Sequence, residues 1–418
     1  MNENKHSVLS NLRELPRGAW ILFFGTFLNK FGTFVLPFLA IYMTSLGYSA
    51  SESGLAIGAY GCGTLIAALV GGYLADWLGR RKTIALSMFS GAAAMLLLSQ
   101  ARSLPAIISM ACLTGLTGEL YRPASSALLA DLVPAGKRVT AFAAFRIAFN
   151  AGWAFGPATA GWLAKHSFQW LFLGDAATSL LFGIVAWFAL PAGVRGMSAG
   201  NALGDTIRVV REDVRFRQIL IAAFTALLVF MQIFSSMSLL VSKSGFSPSV
   251  YGTLLSLNGV LVVLFELPMT IVSRRFHPRH AIAIGYLLIG VAFASNLLPR
   301  TIGTLTLTLI IATCGEMMAM PVASAYVADL APANRRGLYM GTWGLTGSLA
   351  FIFGPSLGMM LFAANPTVLW ALCGVLGITA AIIISREWEI RNSGNTVRQG
   401  VIKSGLRQED AREPFPSL

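Results

Sequence analysis

Apolar residues recur in blocks of about 20 along nearly the whole chain, separated by short polar gaps. Each block is long enough to cross a hydrocarbon core as a helix. Twelve spans are predicted, over about 19–43, 53–75, 83–100, 104–130, 139–164, 169–191, 216–242, 250–272, 281–298, 302–328, 338–362 and 368–385, read as hydrophobic windows. The gaps are short enough to make neighbouring helices antiparallel. Two longer polar stretches divide the pattern. The organisation expected is a six-helix bundle over 1–191, a cytoplasmic linker over 192–215, a second six-helix bundle over 216–385 and a polar tail over 386–418. The linker opens with Gly193, Gly196, Gly200 and Gly204 and closes with the charged run Arg208 to Arg217. It should begin flexible and end as an amphipathic interfacial helix. The tail has the polar composition of a disordered segment. No early apolar region with a cleavage site precedes the first span, so that span is expected to be retained.

Composition supports the same class. Of 418 residues, 55% are hydrophobic and only 12% charged, with a mean hydropathy of +0.68. Soluble domains carry about 25% charged residues, so the expectation is an all-α polytopic membrane protein. A net charge of +13 would suit a nucleic-acid binder, but the basic residues lie in the gaps between blocks. With the N-terminus inside, cytoplasmic segments hold about 24 Lys and Arg and outer loops about four, the asymmetry of the positive-inside rule. The outer four are Arg102, Lys165, Lys243 and Arg300; the inner set includes Arg80, Arg81, Lys82, Lys137, Arg138, Arg274, Arg275, Arg335 and Arg336. Topology accounts for the charge without a nucleic-acid partner, and both termini are expected in the cytoplasm. Cys62, Cys112, Cys314 and Cys373 each sit inside an apolar block, without CxxC spacing or a nearby His. They read as packing residues rather than a disulfide framework or metal site.

The chain also repeats itself. A shift of 198 residues places Pro123 on Pro321, Asp131 on Asp329, Pro134 on Pro332, Arg138 on Arg336, Gly156-Pro157 on Gly354-Pro355 and Gly54 on Gly252. Six spans repeated in parallel orientation are the plan of transporters built from two pseudo-symmetric bundles around a central site.

Between the second and third blocks the sequence reads Gly72-Tyr-Leu-Ala-Asp76-Trp-Leu-Gly79-Arg80-Arg81. This resembles the G-x-L-x-D-x-x-G-R-R/K signature of the major facilitator superfamily, with Trp77 where a basic residue is common. The resemblance covers nearly the whole chain and implies the twelve-helix major facilitator fold. It also implies that Asp76 latches the two bundles on the cytoplasmic side and that Arg80 reaches Asp131. On residue grounds alone, Asp76 and Arg80 can pair if the segment stays helical. In the second half, Arg274, Arg275, Phe276 and His277 stand where Asp76 to Gly79 would map. The fifth block carries Gly152, Gly156, Pro157 and Gly161, suited to close helix contact and a bend. This run is similar to the antiporter motif of the superfamily's drug:proton antiporters, with Ala160 replacing a customary glycine. Asn29-Lys30-Phe31 and Arg122-Pro123 bear a slighter likeness to proton-coupled oligopeptide transporters, whose acidic residues in the first span are missing here.

Ionisable residues at membrane depth are costly and mark function by default. Lys30 lies near the middle of the first span; Glu119 and Arg122 share a face of the fourth; Glu316 lies in the middle of the tenth. Glu266 sits toward the inner end of the eighth, Arg146 in the inner half of the fifth and Asp175 in the outer part of the sixth. A carboxylate in such a cavity is pulled toward neutrality by burial and toward charge by a neighbouring cation. Glu119 and Glu316 are therefore expected to be proton-coupling or cation-binding carboxylates, with Arg122 and Lys30 as counter-charges. Phe34, Trp153, Phe265, Met317 and Met318 are expected to line the cavity.

The function expected is proton-driven efflux of amphipathic or cationic small molecules by alternating access. The alternative is proton symport of a small polar or anionic solute or peptide, with Lys30, Arg122 and Arg146 as binding groups. No catalytic grouping is found and no cofactor is expected beyond the coupling proton. The partners expected are the substrate and the bilayer of the plasma (inner) membrane, the chain being a monomer.

Overall fold

A computed structural model describes residues 14–134, 137–193, 210–273, 275–331 and 336–386. Among them every regular element is a helix. The first half contains α1 (Arg17–Phe31), α2 (Val35–Ser45), α3 (Ala50–Trp77), α4 (Arg80–Gln100), α5 (Leu104–Glu119), α6 (Tyr121–Leu132), α7 (Arg138–His166) and α8 (Gln169–Ala189). The second contains α9 (Val214–Phe230), α10 (Ser236–Lys243), α11 (Pro248–Ser273), α12 (Pro278–Ala294), α13 (Ile302–Leu330), α14 (Arg336–Ala364) and α15 (Pro366–Ser385). Eleven segments are long and apolar enough to cross a membrane, with α1–α2, α5–α6 and α9–α10 each counted as one. The remaining helix, α7, is equally long at 29 residues. The architecture is that of twelve spans in two pseudo-symmetric halves.

Three spans predicted as continuous are broken. The first stops at Phe31 and resumes at Val35; the fourth turns at Leu120; the seventh passes through a 3-10 turn over Met231–Phe234. Proline does not break the first or seventh, and periodicity cannot register a break made of Gly-Thr-Phe or Gln-Ile-Phe. In the fourth, Pro123 lacks the N–H that would bond Glu119 O, which loosens the turn just there. Of the linker, 194–209 lie outside the described residues, as does the tail from 387. The charged run is described only from Val210. Asp213 then caps α9, its Oδ1 accepting from Phe216 N at 2.9 Å and its Oδ2 from the Tyr339 hydroxyl at 2.8 Å. Arg215 and Arg217 lie in the first turn of α9, continuous with the seventh span.

The halves close on one another at one end through glycine. A Cβ on Gly252 (α11) would stand 2.2 Å from Pro157 O (α7), and one on Gly54 (α3) would stand 2.9 Å from Pro355 O (α14). These contacts exchange under the 198-residue shift, so the closed end is built twice from one pattern. Polar bonds repeat it: Ala158 N donates to Ser256 Oγ at 2.8 Å, and Ser356 Oγ to Gly54 O at 3.2 Å. At the other end the surfaces part. Beyond the local backbone of its own helix, nothing lies within 4 Å of a Cβ built on Gly72, Gly341, Gly344 or Gly347.

Candidate functional site

Between the halves, toward the open end, lies a cavity of about 510 Å3. One wall comes from α6 and α7, with Arg122, Phe145, Arg146 and Phe149; the facing wall comes from α11 and α13, with Glu266, Glu316 and Met317. Small and kinking residues place these groups. Cβ atoms on Gly152 and Gly156 would collide with Lys30, Phe31 and Phe27, so α7 lies directly on α1 where the first span breaks. Gly354 meets Met231 and Leu228 at the break of the seventh span in the same way. The glycines of the fifth and eleventh spans thus seat the two breaks, and Gly161 meets Pro248, Ser249 and Gly252 of α11.

The expected charges fall into three groups. Lys30 Nζ donates to Glu119 Oε1 at 2.8 Å, with side chains only 4% and 12% exposed. Arg122 Nη1 lies 3.5 Å from Glu119 Oε2 and is 59% exposed. The nearer partner of Glu119 is therefore a lysine from another helix, not the arginine one turn on. Phe149 lies under both cations, at 5.3 Å from Lys30 Nζ and 5.5 Å from the Arg122 guanidinium, a contact that favours positive charge. In the second group Arg146 of α7 pairs with Glu266 of α11, joining the halves across the cavity. In the third, Asn258 donates to Glu316 Oε2 at 2.9 Å and lies 2.9 Å from Thr313 Oγ1. Glu316 makes no ion pair among the described residues: its hydrogen-bond partner is neutral, and Arg146 acts on it only from longer range.

The Asp76–Arg80–Asp131 cluster is formed at the open end. Arg80 bonds Asp76 and lies 3.4 Å from Asp131 Oδ2 through Nε. The pairing is not made along a helix, as the four-residue spacing suggested. α3 ends at Trp77, and Gly79 turns the chain at φ +93°, a left-handed conformation that suits glycine. Arg80 reaches back across that turn. In the second half Arg279 takes a related place, its Nε donating to Tyr326 Oη at 2.9 Å; Arg274 lies outside the described residues.

Several expectations change. Of the five residues expected to line the cavity, Met317 does so. Phe34 and Met318 are buried in packing, Phe265 is exposed, and Trp153 packs at a tilt against Phe234, with ring centroids 5.4 Å apart. The aromatic wall is instead Phe142, Phe145 and Phe149. Their spacing, with Arg146 and Asn150, is that of one helical face, a signal the sequence carried. Asp175 was legible as a charge at depth but not as a partner: its Oδ2 accepts from Phe34 N at 3.2 Å and Val35 N at 3.4 Å, capping α2 from another helix. No group of three His, Cys, Asp or Glu side chains that could hold a metal occurs among the described residues.

Known proteins show the same plan. The chain is 27% identical over 353 residues to the uncharacterized MFS-type transporter YqjV of Bacillus subtilis (strain 168), covering 81% of this chain and 85% of that protein. It is 28% identical over 397 residues to the multidrug resistance protein MdtH of Cronobacter sakazakii (strain ATCC BAA-894), covering 90% and 95%. Among solved structures, the nucleoside transporter NupG superposes with a TM-score of 0.76 at 16% identity over 88% of this chain and 98% of that one. A POT family transporter in complex with a thioalcohol-conjugated peptide gives 0.74 at 16% identity, over 88% and 96%. At such identities the structures speak for the fold alone. The Major Facilitator Superfamily model matches residues 22–249 and again 219–400, the two halves that the internal repeat and the paired glycine contacts had already equated, and the chain belongs to that superfamily of integral membrane transporters.

Proposed function

We propose that the protein is a secondary active exporter that moves amphipathic, cationic small molecules by alternating access in exchange for protons. The observation that carries this reading is Glu316. Its carboxylate stands on the wall of an aromatic and methionine-lined cavity, held by neutral Asn258 and without an ion-pair partner among the described residues. An unpaired carboxylate in such a place is satisfied by a proton or by a bound cation, and competition between the two is the elementary step of an antiporter. Similarity to MdtH supports the same direction.

Under the positive-inside rule the end carrying Arg80 and Arg81 faces the cytoplasm. The cavity then opens inward, to the compartment from which an exporter loads, and the membrane is the plasma (inner) membrane. Asp76, Arg80 and Asp131 act as the latch that meets the second half when this end closes. The unit is a monomer, its partners the substrate and the bilayer.

A second reading rests on Arg122, whose guanidinium is 59% exposed at the cavity and suits an anionic solute imported with a proton. One experiment separates the two. Purified protein is placed in liposomes with a pH gradient and an internal pH dye, then challenged with pooled lipophilic cations and, separately, with peptides and organic anions. Proton flux evoked by cations and lost in Glu316→Gln supports export. Flux evoked only by anions or peptides and lost in Arg122→Gln replaces it with symport.

A further inference from the structure

The break in the first span lies between two carboxylates supplied by other helices. Glu119 of α5 holds Lys30 near the end of α1, and Asp175 of α8 caps the start of α2. Between them is a small chamber of about 30 Å3, lined in part by both carboxylates and by Asn29, Thr33, Thr114 and Ser179. That volume is enough for a water, which would find polar partners on the side of Asn29, Thr114, Glu119 and Asp175 and apolar walls at Leu36, Leu39 and Met95. Thr114 is 4% exposed and its Oγ1 has no hydrogen-bond partner in the protein. Such an orphan hydroxyl beside a chamber that also holds two carboxylates asks for an occupant that can bond it.

The repeat shows that this carboxylate is not a requirement of the fold. The symmetry-related break of the seventh span is held by Gln232, whose Nε2 donates to Gly354 O at 2.8 Å and whose Oε1 accepts from Ser236 at 2.8 Å. The residue 198 positions after Asp175 is Cys373, a buried thiol that carries no such bond. One half closes its break with neutral groups; the other uses a carboxylate. A carboxylate and a neutral carboxyl both accept backbone N–H bonds, but the ion holds them more tightly. Gaining a proton at Asp175 therefore loosens the cap of α2.

We propose that Asp175 is a second proton-binding site, connected to Glu119 through the water chamber, and that its protonation state sets the stiffness of the break in the first span. The titratable side chains that act on Asp175 are Lys30 from α1, Glu119 from α5 and Tyr60 from α3. α4 faces the chamber with Gly91, Met95 and Leu98, which carry no charge. The inference rests on the proton-coupled reading for its use but not for its test.

The test is a pH titration of the protonated-carboxyl infrared band in the purified full-length protein. Asp175→Asn is expected to remove one titrating component of that band, and Glu119→Gln to move the midpoint of the component that remains from Asp175. A band in folded Asp175→Asn that titrates as in wild type overturns the proposal and leaves Asp175 a fixed cap. Should Asp175→Asn fail to fold, Thr114→Val, with both carboxylates in place, carries the test. A shifted midpoint supports the chamber, and an unchanged one overturns it. Liposomes in which the wild type evokes no proton flux would remove the exchange reading while the titration still decides Asp175.

Discussion

Lys30 and Glu119, 89 residues apart in sequence and on different helices, meet at 2.8 Å, the shortest approach of any cation to that carboxylate. With Arg122 nearby, one carboxylate serves two cations. Removing one member of a buried pair strands the other charge, at a cost of about 3–5 kcal/mol. Glu119→Gln and Lys30→Met should each lower the thermal unfolding temperature in detergent, and the double variant Lys30→Met with Glu119→Gln should lose less than the two singles together. A double variant no more stable than the sum of the singles would show that the pair is not coupled.

Glu316 and Asn258 separate binding from support. Glu316→Gln should abolish substrate-evoked proton flux. Asn258→Leu, which removes a bond to a charged group worth about 1.5–3 kcal/mol, should weaken flux roughly tenfold or more at fixed substrate and leave the carboxylate in place. Flux in liposomes checks both, and full flux in Glu316→Gln would move coupling elsewhere.

The closed end depends on the absence of a side chain at Gly252. A valine there meets Pro157 O, which as backbone has little room to move. Gly252→Val should shift the population toward states open at this end, each 1.4 kcal/mol of bias changing the ratio about tenfold. Spin labels at Leu46 and Thr367, both exposed at that end, should report longer distances in the variant. Unchanged distributions would mean that the contact does not limit opening.

Arg80 bridges two aspartates at the open end. Replacing it with glutamine removes charge-assisted bonds while keeping a polar side chain. Turnover should fall by roughly an order of magnitude for each 1.4 kcal/mol lost from the closed latch, with little change in half-saturation. Concentration-dependent flux measurements distinguish this from a binding defect, which would raise half-saturation instead.

How far the site was legible follows from how each residue works. Lys30, Glu119, Arg122, Glu266 and Glu316 stand out because a charge in an apolar block is visible without any neighbour. The aromatic face of the fifth span is written at helical spacing, but inside an apolar block that spacing does not distinguish a cavity wall from a packing face. Asp175 was visible as a charge, but its partners are backbone groups of the first span, and backbone groups leave no mark in a sequence. The breaks were hidden for a related reason: a helix interrupted by a few uncharged residues keeps its hydropathy.

The sequence by itself determined the class, the twelve spans, the repeat and the family, since these depend on hydropathy, length and residue identity at fixed offsets. Tertiary structure alone decided which carboxylate meets which cation, that Glu316 answers to an asparagine, and that the halves touch at Gly252 and Gly54 while parting at Gly72. Those are matters of a few ångströms between residues far apart in the chain. Close packing of helices sets them, and no local pattern encodes them.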